Sequence, residues 1–448
     1  MRTGPLRVGN PLRAAFVAAL GVCLTGAAPA VSVPATPGAP VTGTLAGGGT
    51  YIVQAAPGAP VAGISLWYRA PSTGFGDPQP GLGRVAATAI AASEPITGTP
   101  VGRFVDQLGG RITVTAYPDA VAISTLVPAD KAADVVRALT ASYFTPVLDA
   151  TGLTVAQRDL AEEGFFRQFS TDDVIDDLLA GDLFSDGPAR YPTIPTPQQL
   201  QALDLARVKQ FAARAFRPAN AVLVVTGAVD PSVVEAAVTG PAGAAPGSEP
   251  ALTEHAVPQP APMTANGTEP GLGLGWIGPA ISSEKEATAF DFIADYLFRP
   301  ETGVVSKALA KTKTTVDGKF VTYHDPGVLL ISMSGGDLAA AKTVVEAALA
   351  SVKKPLDGRA FATARAAFVY HMLDDIQTPG ELADNFGWYT VEGNGPYAPG
   401  AGGERGQYFA AAMQLTPGFV AQTVAAYLGR PGATVTLAKS AAGDGAAK

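Results

Sequence analysis

Few side chains in this 448-residue chain could form a metal or nucleophilic site. The sequence contains three histidines and one cysteine, namely His255, His324, His371 and Cys23. His371 precedes Asp374 and Asp375 on a predicted helix, where one imidazole and two carboxylates could share a metal ion. Zinc sites usually have more nitrogen or sulfur donors than one histidine supplies, so this group is a minor alternative.

A second candidate combines an alanine-rich predicted helix with two adjacent carboxylates. The helix lies within Pro80–Ala92, and Glu162 and Glu163 belong to a later predicted helix, Val155–Phe169. Histidines at positions i and i+4 of a helix project from one face and can share a zinc ion, and a neighbouring glutamate can activate the bound water. The first helix carries no histidine, so its own composition indicates a buried structural helix.

The motifs around this helix resemble those of the insulinase, pitrilysin and mitochondrial processing peptidase family of zinc metallopeptidases. In that family the helix carries His-x-x-Glu-His and is followed by Gly-Thr and Leu-Gly-Gly. Here the Pro-Gly-Leu run that begins at Pro80 is followed by Gly98-Thr99, by Leu108-Gly109-Gly110 and finally by Pro218-x-Asn220. The resemblance spans nearly all of the chain from Thr50 to Lys439.

The resemblance implies a zinc site that has lost its ligands. It places Arg84 and Thr88 at the two histidines and Ala87 at the catalytic glutamate. It places Glu162 or Glu163 at the further glutamate that completes the family's site. Arginine is always cationic, alanine takes no proton and threonine is a weak zinc ligand, so the remaining carboxylate would not hold the metal. We therefore expect no catalytic residue, no zinc and no other cofactor in this chain.

The second half of the sequence repeats the pattern of the first. Asp130 and Asp337 each open a predicted helix, and Arg158 and Arg365 have matching places on the helix that follows. Both pairs have the same separation, which indicates an internal duplication. Each repeat predicts an α+β unit, a mostly antiparallel sheet with helices packed on one side. The resemblance implies that the two homologous repeats are the two halves of a metallopeptidase-like clamshell, which closes around an extended peptide.

The predicted organisation has five segments, which are a signal peptide at 1–30, a disordered leader at 31–49, an N-terminal insulinase-like repeat at 50–238, a linker at 239–270 and a C-terminal insulinase-like repeat at 271–440. Residues rich in Pro, Ala and Gly mark the leader and the linker.

The N-terminal segment has the pattern of a cleavable secretory signal. Basic residues precede the short apolar run Ala14–Leu24, and Ala28-Pro29-Ala30 provides a small-residue cleavage site. We therefore expect export, to the periplasm or out of the cell. Cys23 lies inside the signal, and its lipidation is an open alternative. No later run is apolar and long enough for a membrane span, so we expect none in the mature chain.

The net charge argues against nucleic-acid binding, and the spacing of the aspartates argues against a calcium site. The net charge is −8 without a basic stripe, so nucleic-acid binding has no electrostatic basis. Four aspartates between Asp172 and Asp177 lack the turn glycine and ligand spacing of an EF-hand loop. They predict a solvated helix face rather than a calcium site.

Three functional hypotheses follow. The first is an exported, catalytically inactive subunit that forms a heterodimer with an active insulinase-family homologue, which alone holds zinc, and helps to hold an extended peptide. The second is a stand-alone peptide-binding or chaperone-like module, with the peptide added to a sheet edge. The third, an active enzyme that uses Glu162, Glu163 or the His371 group, is the least supported.

Overall fold

The computed structural model describes residues 39–76, 78–95, 98–238, 252–393 and 407–440. The predicted signal peptide with Cys23 lies outside these residues, as do residues 31–38 of the leader and residues 239–251 of the linker. The described residues form two β-sheets, each packed with helices, so the predicted α+β fold of two sheet-and-helix halves is confirmed. None of the helices in these ranges combines the length and apolarity needed to cross a membrane.

The first sheet has six strands in the spatial order β1-β2-β6-β3-β5-β4. In chain order the strands are β1 (Val41–Thr44), β2 (Thr50–Ala55), β3 (Val61–Arg69), β4 (Thr113–Ala116), β5 (Ala120–Pro128) and β6 (Ala221–Gly227). Only β2 and β6 pair in parallel, and the other neighbours are antiparallel. The central strands β3 and β6 are buried along almost their whole length, which explains their continuous apolar sequence.

The helices that belong to the first half of the chain are α1 (Leu82–Ala92), α2 (Val101–Gln107), α3 (Ala132–Phe144), α4 (Ala150–Arg167), α5 (Thr171–Leu183), α6 (Pro197–Gln201), α7 (Leu205–Ala215) and α8 (Pro231–Ala237). All except α5 lie on one side of the sheet. Ile64 and Leu66 of β3 share a core with Val85 of α1 and Leu139 of α3 on that side.

The second sheet has five strands in the spatial order β7-β11-β8-β10-β9. Its strands are β7 (Met263–Gly267), β8 (Gly271–Ile277), β9 (Thr315–Val321), β10 (Val328–Ser334) and β11 (Ala433–Lys439). The helices of this half are α9 (Glu284–Phe298), α10 (Val304–Leu309), α11 (Leu338–Val352), α12 (Gly358–Asp374), α13 (Pro379–Glu392), α14 (Gln407–Gln414) and α15 (Pro417–Leu428).

Two strands lie where the sequence predicted irregular segments. β1 falls inside the predicted disordered leader and pairs with β2 through a turn in which Gly47 and Gly48 both have φ of 102°. β7 falls inside the predicted linker and pairs in parallel with β11. Both are short edge strands with one neighbour each, so their sequences carry little of the apolar alternation that marks a strand buried on one face.

The halves exchange one helix each. α5 of the first half packs on β8 and β10 of the second sheet, and α13 of the second half packs on β3 and β6 of the first. The glycines Gly271, Gly273 and Gly275 alternate along β8, and a Cβ at Gly273 would lie 2.3 Å from Ile175 of α5. Each sheet is therefore covered on its second face by a helix from the other half, which the sequence pattern did not predict.

This exchange makes α13 sensitive to side-chain volume. A Cβ at Gly387 would lie 2.0 Å from Nε1 of the fully buried Trp67 in β3. We expect Gly387→Ala to lower the free energy of unfolding by about 1–3 kcal/mol, measured by urea denaturation, because the well-packed core cannot absorb the added atom. Gly380→Ala is the control, since its Cβ would meet nothing nearer than Leu126 Cδ1 at 3.7 Å. Equal losses for the two variants would contradict this packing.

The acidic face of α5 is buried or half-buried rather than solvated. Asp176 is 2% exposed, and its Oδ2 lies 2.5 Å from Nζ of Lys319 on β9. Asp173 and Asp177 pair with Arg167 at 3.0 and 2.9 Å. The prediction of a solvated face is wrong because α5 lies across the second sheet, which supplies Lys319 as a counter-charge. Within the described ranges, no group of three or more His, Cys, Asp or Glu residues could hold a metal ion.

Candidate functional site

The positions predicted for the lost zinc ligands lie on α1. Gly81 precedes the helix with φ of 78°, a conformation that favours glycine, and alanines then allow α1 to pack closely in the core. Arg84 and Thr88 are one turn apart and both half-buried. Ala87, at the predicted place of the catalytic glutamate, is fully buried in the core.

The structure separates the two candidate glutamates on α4. Glu163 Oε2 accepts a hydrogen bond from Arg84 Nη2 at 2.5 Å, whereas Glu162 is exposed. This contact follows from the close approach of α1 and α4, where Gly152 leaves no room for a Cβ beside Ser93. The Asp149 side chain caps the start of α4 by accepting from Gly152 N at 2.7 Å. A guanidinium thus lies against one of the two carboxylates that the resemblance offered as the further zinc ligand.

Ala87, at the position that the resemblance gives to the catalytic glutamate, is enclosed by the packed core. The Tyr143 hydroxyl donates to the Ala87 carbonyl at 2.9 Å, and Tyr143 is itself fully buried. Burial raises the pKa of the Tyr143 hydroxyl, so the group remains a neutral donor at physiological pH. A carboxylate at position 87 would enter this apolar core without a charged partner and would be strongly disfavoured.

A cavity of about 420 Å³ opens beside this ion pair. Its walls come from α1, α2, α4 and the residues leading into β4. The Leu108-Gly109-Gly110 motif directs the chain into β4, since Gly109 has φ of 85° and a Cβ on Gly110 would lie 2.5 Å from Val127 Cγ1. In the described part of the chain β4 pairs only with β5, so its other edge offers unpaired backbone groups next to the cavity.

The His371 group is not a metal site in this fold. His371 Nδ1 lies 3.0 Å from both carboxylate oxygens of Asp295 on α9. Asp374 instead accepts from Gln377 at 3.2 Å, and Asp375 lies 3.9 Å from Arg299. The sequence prediction missed Asp295 because it lies on α9, far along the chain from α12.

The other histidines have structural contacts. The exposed His255 ring lies 3.0 Å from Asp186 Oδ1. His324 Nδ1 lies 2.9 Å from the Glu392 carbonyl oxygen, and its backbone N–H donates to Asp119 Oδ2 at 3.2 Å. His324 therefore joins β9 to α13 and to the turn before β5.

Three buried carboxyl groups meet at this junction between the halves. Asp119, Glu254 and Glu392 are 4%, 6% and 1% exposed. Burial raises the pKa of Glu392 far above its usual value, and a hydrogen bond with Asp119 adds to the rise. Burial also raises the pKa of Glu254 to about 8, with Asp119 and Asp186 contributing while a hydrogen bond from Ala189 N opposes. Sequence patterns give no signal for this cluster, since its members come from distant segments.

The Glu254 carboxyl makes stability depend on pH. Between its usual pKa and about 8 the folded chain holds a proton that the unfolded chain has released, so the free energy of unfolding falls as pH rises. We expect Glu254→Gln to flatten this fall and to stabilise the chain at pH 8 relative to the unaltered protein, measured by urea denaturation at several pH values. Glu346→Gln on the exposed face of α11 is the control. Parallel pH curves for Glu254→Gln and the unaltered chain would contradict the assignment.

Two helix-covered sheets and an Arg84–Glu163 ion pair at the predicted metal position fit the expectation of a metallopeptidase-like frame without zinc ligands. Residues 202–368 match the family model described as the peptidase M16 inactive domain. Over these residues the chain is similar to the inactive domain of the M16, or insulinase-family, peptidases. The matched domain is the family's inactive one, in agreement with the expectation that this chain is not a peptidase.

Solved structures agree on the fold. A protease from Helicobacter pylori aligns with a TM-score of 0.78 at 15% identity and covers 90% of this chain and 100% of its own. An M16-like peptidase from Alicyclobacillus acidocaldarius aligns with a TM-score of 0.74 at 16% identity, and the alignment covers 90% of this chain and 98% of that peptidase. The peptidase M16 inactive domain from Pseudomonas fluorescens aligns with a TM-score of 0.71 at 16% identity, and the alignment covers 90% of this chain and 98% of that domain. A comparison with curated proteins found no match.

Proposed function

We propose that this chain is an exported, non-catalytic M16-family subunit that pairs with an active zinc peptidase homologue and helps to hold its peptide substrate. The observation that carries the proposal is the Arg84–Glu163 ion pair beside an open cavity. The frame that would present a peptide to a metal is kept, while Arg84, Ala87 and Thr88 provide neither metal ligands nor a base. Zinc would belong to the partner alone.

The free edge of β4 is the proposed place of the peptide. An extended peptide can add to an exposed sheet edge, where backbone hydrogen bonds give affinity and neighbouring pockets select side chains. β4 is short and borders the cavity, so a peptide on this edge would pass directly beside α1. This arrangement supports holding of a peptide without its cleavage.

An exposed aromatic cluster supports pairing with another chain. Phe165, Phe166 and Phe169 at the end of α4 are 54%, 62% and 54% exposed. Their rings contact each other, with centroids 5.5 Å apart for Phe165–Phe166 and 5.3 Å for Phe165–Phe169. Contiguous exposed aromatic surface is typical of protein interfaces, where such residues form the buried anchors. Phe165, the first residue of the cluster, is two residues beyond Glu163 in the chain.

Export rests on the N-terminal sequence alone. The signal peptide at 1–30 and the boundaries of the two insulinase-like repeats are parts of the proposal. An exported subunit of this kind would meet its partner in the periplasm or outside the cell.

The test of pairing is affinity purification of the tagged chain from the native envelope fraction, followed by mass spectrometry. We expect a stoichiometric homologue with an intact His-x-x-Glu-His motif. Combined Phe165→Ser, Phe166→Ser and Phe169→Ser changes should release it, whereas Tyr370→Ser, which removes a similarly exposed aromatic ring from α12, should not. A chain recovered alone and monodisperse would contradict pairing and favour the stand-alone peptide-binding module.

A further inference from the structure

The cavity beside β4 is lined by three arginines from three elements. Arg84 lies on α1, Arg103 on α2 and Arg111 two residues before the start of β4. Arg103 and Arg111 are exposed, so their guanidinium groups remain available to a molecule that enters from solvent. No single element of the sequence shows this grouping, because the fold brings the three arginines together.

Most of the acidic groups in the cavity wall are already paired. Glu163 pairs with Arg84, and Asp159 accepts two hydrogen bonds from Arg158. Asp106 is the acidic group of the wall that has no ion pair among the described residues. Among the described residues Arg103 and Arg111 also lack an ion-pair partner. The wall itself carries three arginines and three acidic residues. With Arg158 counted as the partner of Asp159, the two unpaired cationic groups face one unpaired anionic group, and the cavity with its immediate surroundings has an excess of one positive charge.

Strand geometry connects this charge to a peptide on the sheet edge. Successive side chains of a strand point to opposite faces of its sheet, so alternate residues of an added peptide would point to the helix-covered face. That face carries α1, and Val114 of β4 contributes to both the core on that side and the cavity wall. One side chain of a peptide paired with β4 would thus enter the cavity beside the arginines.

We propose that this cavity selects an acidic side chain, aspartate or glutamate, of the extended peptide. The inference rests on the proposed peptide-holding function and adds the class of substrate to it. A guanidinium group can bind a carboxylate through two parallel N–H···O bonds, which makes arginine suited to this recognition. Arg103 and Arg111 bind the carboxylate, and Arg84 stays engaged with Glu163.

The experiment compares three labelled unstructured peptides that differ only in central glutamate, glutamine or lysine residues. Fluorescence anisotropy measures their affinity for the full chain. We expect the glutamate peptide to bind about tenfold more tightly than the glutamine peptide, a preference that decreases with added salt because the contacting arginines are exposed. The combined Arg103→Gln and Arg111→Gln variant should lose the preference and keep the affinity for the glutamine peptide. Arg137→Gln on the exposed face of α3 should change neither.

The outcomes separate this inference from the proposed function. Equal affinity for the glutamate and glutamine peptides, or tighter binding of the lysine peptide, overturns acidic selectivity and leaves peptide holding intact. A glutamate preference that survives in the double variant overturns the role of Arg103 and Arg111. Binding of none of the peptides overturns peptide holding together with the selectivity built on it.

Discussion

A variant that combines Arg84→His with Thr88→His is expected to bind Zn²⁺, whereas the unaltered chain is not. The two positions are one turn apart on α1, both half-buried, and both line the cavity. The Glu163 carboxylate lies 2.5 Å from the Arg84 guanidinium, so it is already placed beside position 84. Two imidazoles and this carboxylate would complete a His₂Glu ligand set, with the fourth position open to water.

The measurement is isothermal titration of the purified variant with Zn²⁺. We expect a Kd on the order of micromolar or tighter, a gain over the unaltered chain of at least about 100-fold. Affinity should fall below about pH 6, because the imidazoles must be neutral to bind metal. Adding Glu163→Gln should weaken binding strongly, and adding Glu162→Gln should not. Equal losses from the two glutamine changes, or no binding at all, would contradict the assignment of Glu163.

Zinc binding by this variant should not restore cleavage. The family's base would have to lie at position 87. Ala87 is fully buried, and its carbonyl accepts a hydrogen bond from the Tyr143 hydroxyl. Loss of the ligands and closure of the base position are separate barriers, so returning the histidines removes only the first.

Replacement of Lys319 by methionine is expected to destabilise the chain by about 3–5 kcal/mol at pH 8, because it leaves a buried carboxylate without its partner. Lys319 Nζ lies 2.5 Å from Asp176, which is 2% exposed, and 3.2 Å from Asp317. Burial raises the pKa of Asp176 to about 6, and Lys319 opposes that rise. Without Lys319 this opposing effect is gone and the pKa of Asp176 rises further, so Asp176 in the variant can take up a proton at pH 5 and the loss should be smaller there than at pH 8.

Urea denaturation at the two pH values measures this effect. Combining Lys319→Met with Asp176→Asn should recover part of the loss, because no buried charge then remains. Lys342→Met is the control, since Lys342 and Glu346 form an exposed i,i+4 pair whose loss costs roughly 0.3–0.5 kcal/mol. A loss for Lys319→Met as small as that of the control would show that α5 does not depend on its counter-charge.

Local sequence signals predicted much of the frame. Asp337 caps α11 by accepting from the backbone N–H groups of Ala339 and Ala340, as its position before the helix predicts. Asp130 has the corresponding place in the first half, yet it lies in a short 3₁₀ turn ahead of α3 and caps nothing there. A capping residue indicates where a helix begins, and the local turn decides whether its side chain is used.

The parts that the sequence did not predict depend on contacts between distant segments. The glycines of Gly271-Leu-Gly-Leu-Gly275 on β8 leave room for side chains of α5 from the other half. The choice of Glu163 over Glu162 likewise depends on how α4 lies against α1. Single-sequence periodicity describes one face of one element, whereas these features arise where two elements meet.

One anisotropy measurement tests whether this chain holds a peptide without cleaving it. A labelled unstructured peptide with central glutamates is titrated with the unaltered chain in the presence of Zn²⁺. We predict a saturable rise in anisotropy that persists over time, because the peptide is bound and stays intact. A value that falls below that of the free peptide would mean that the chain cleaves it, and would contradict the account.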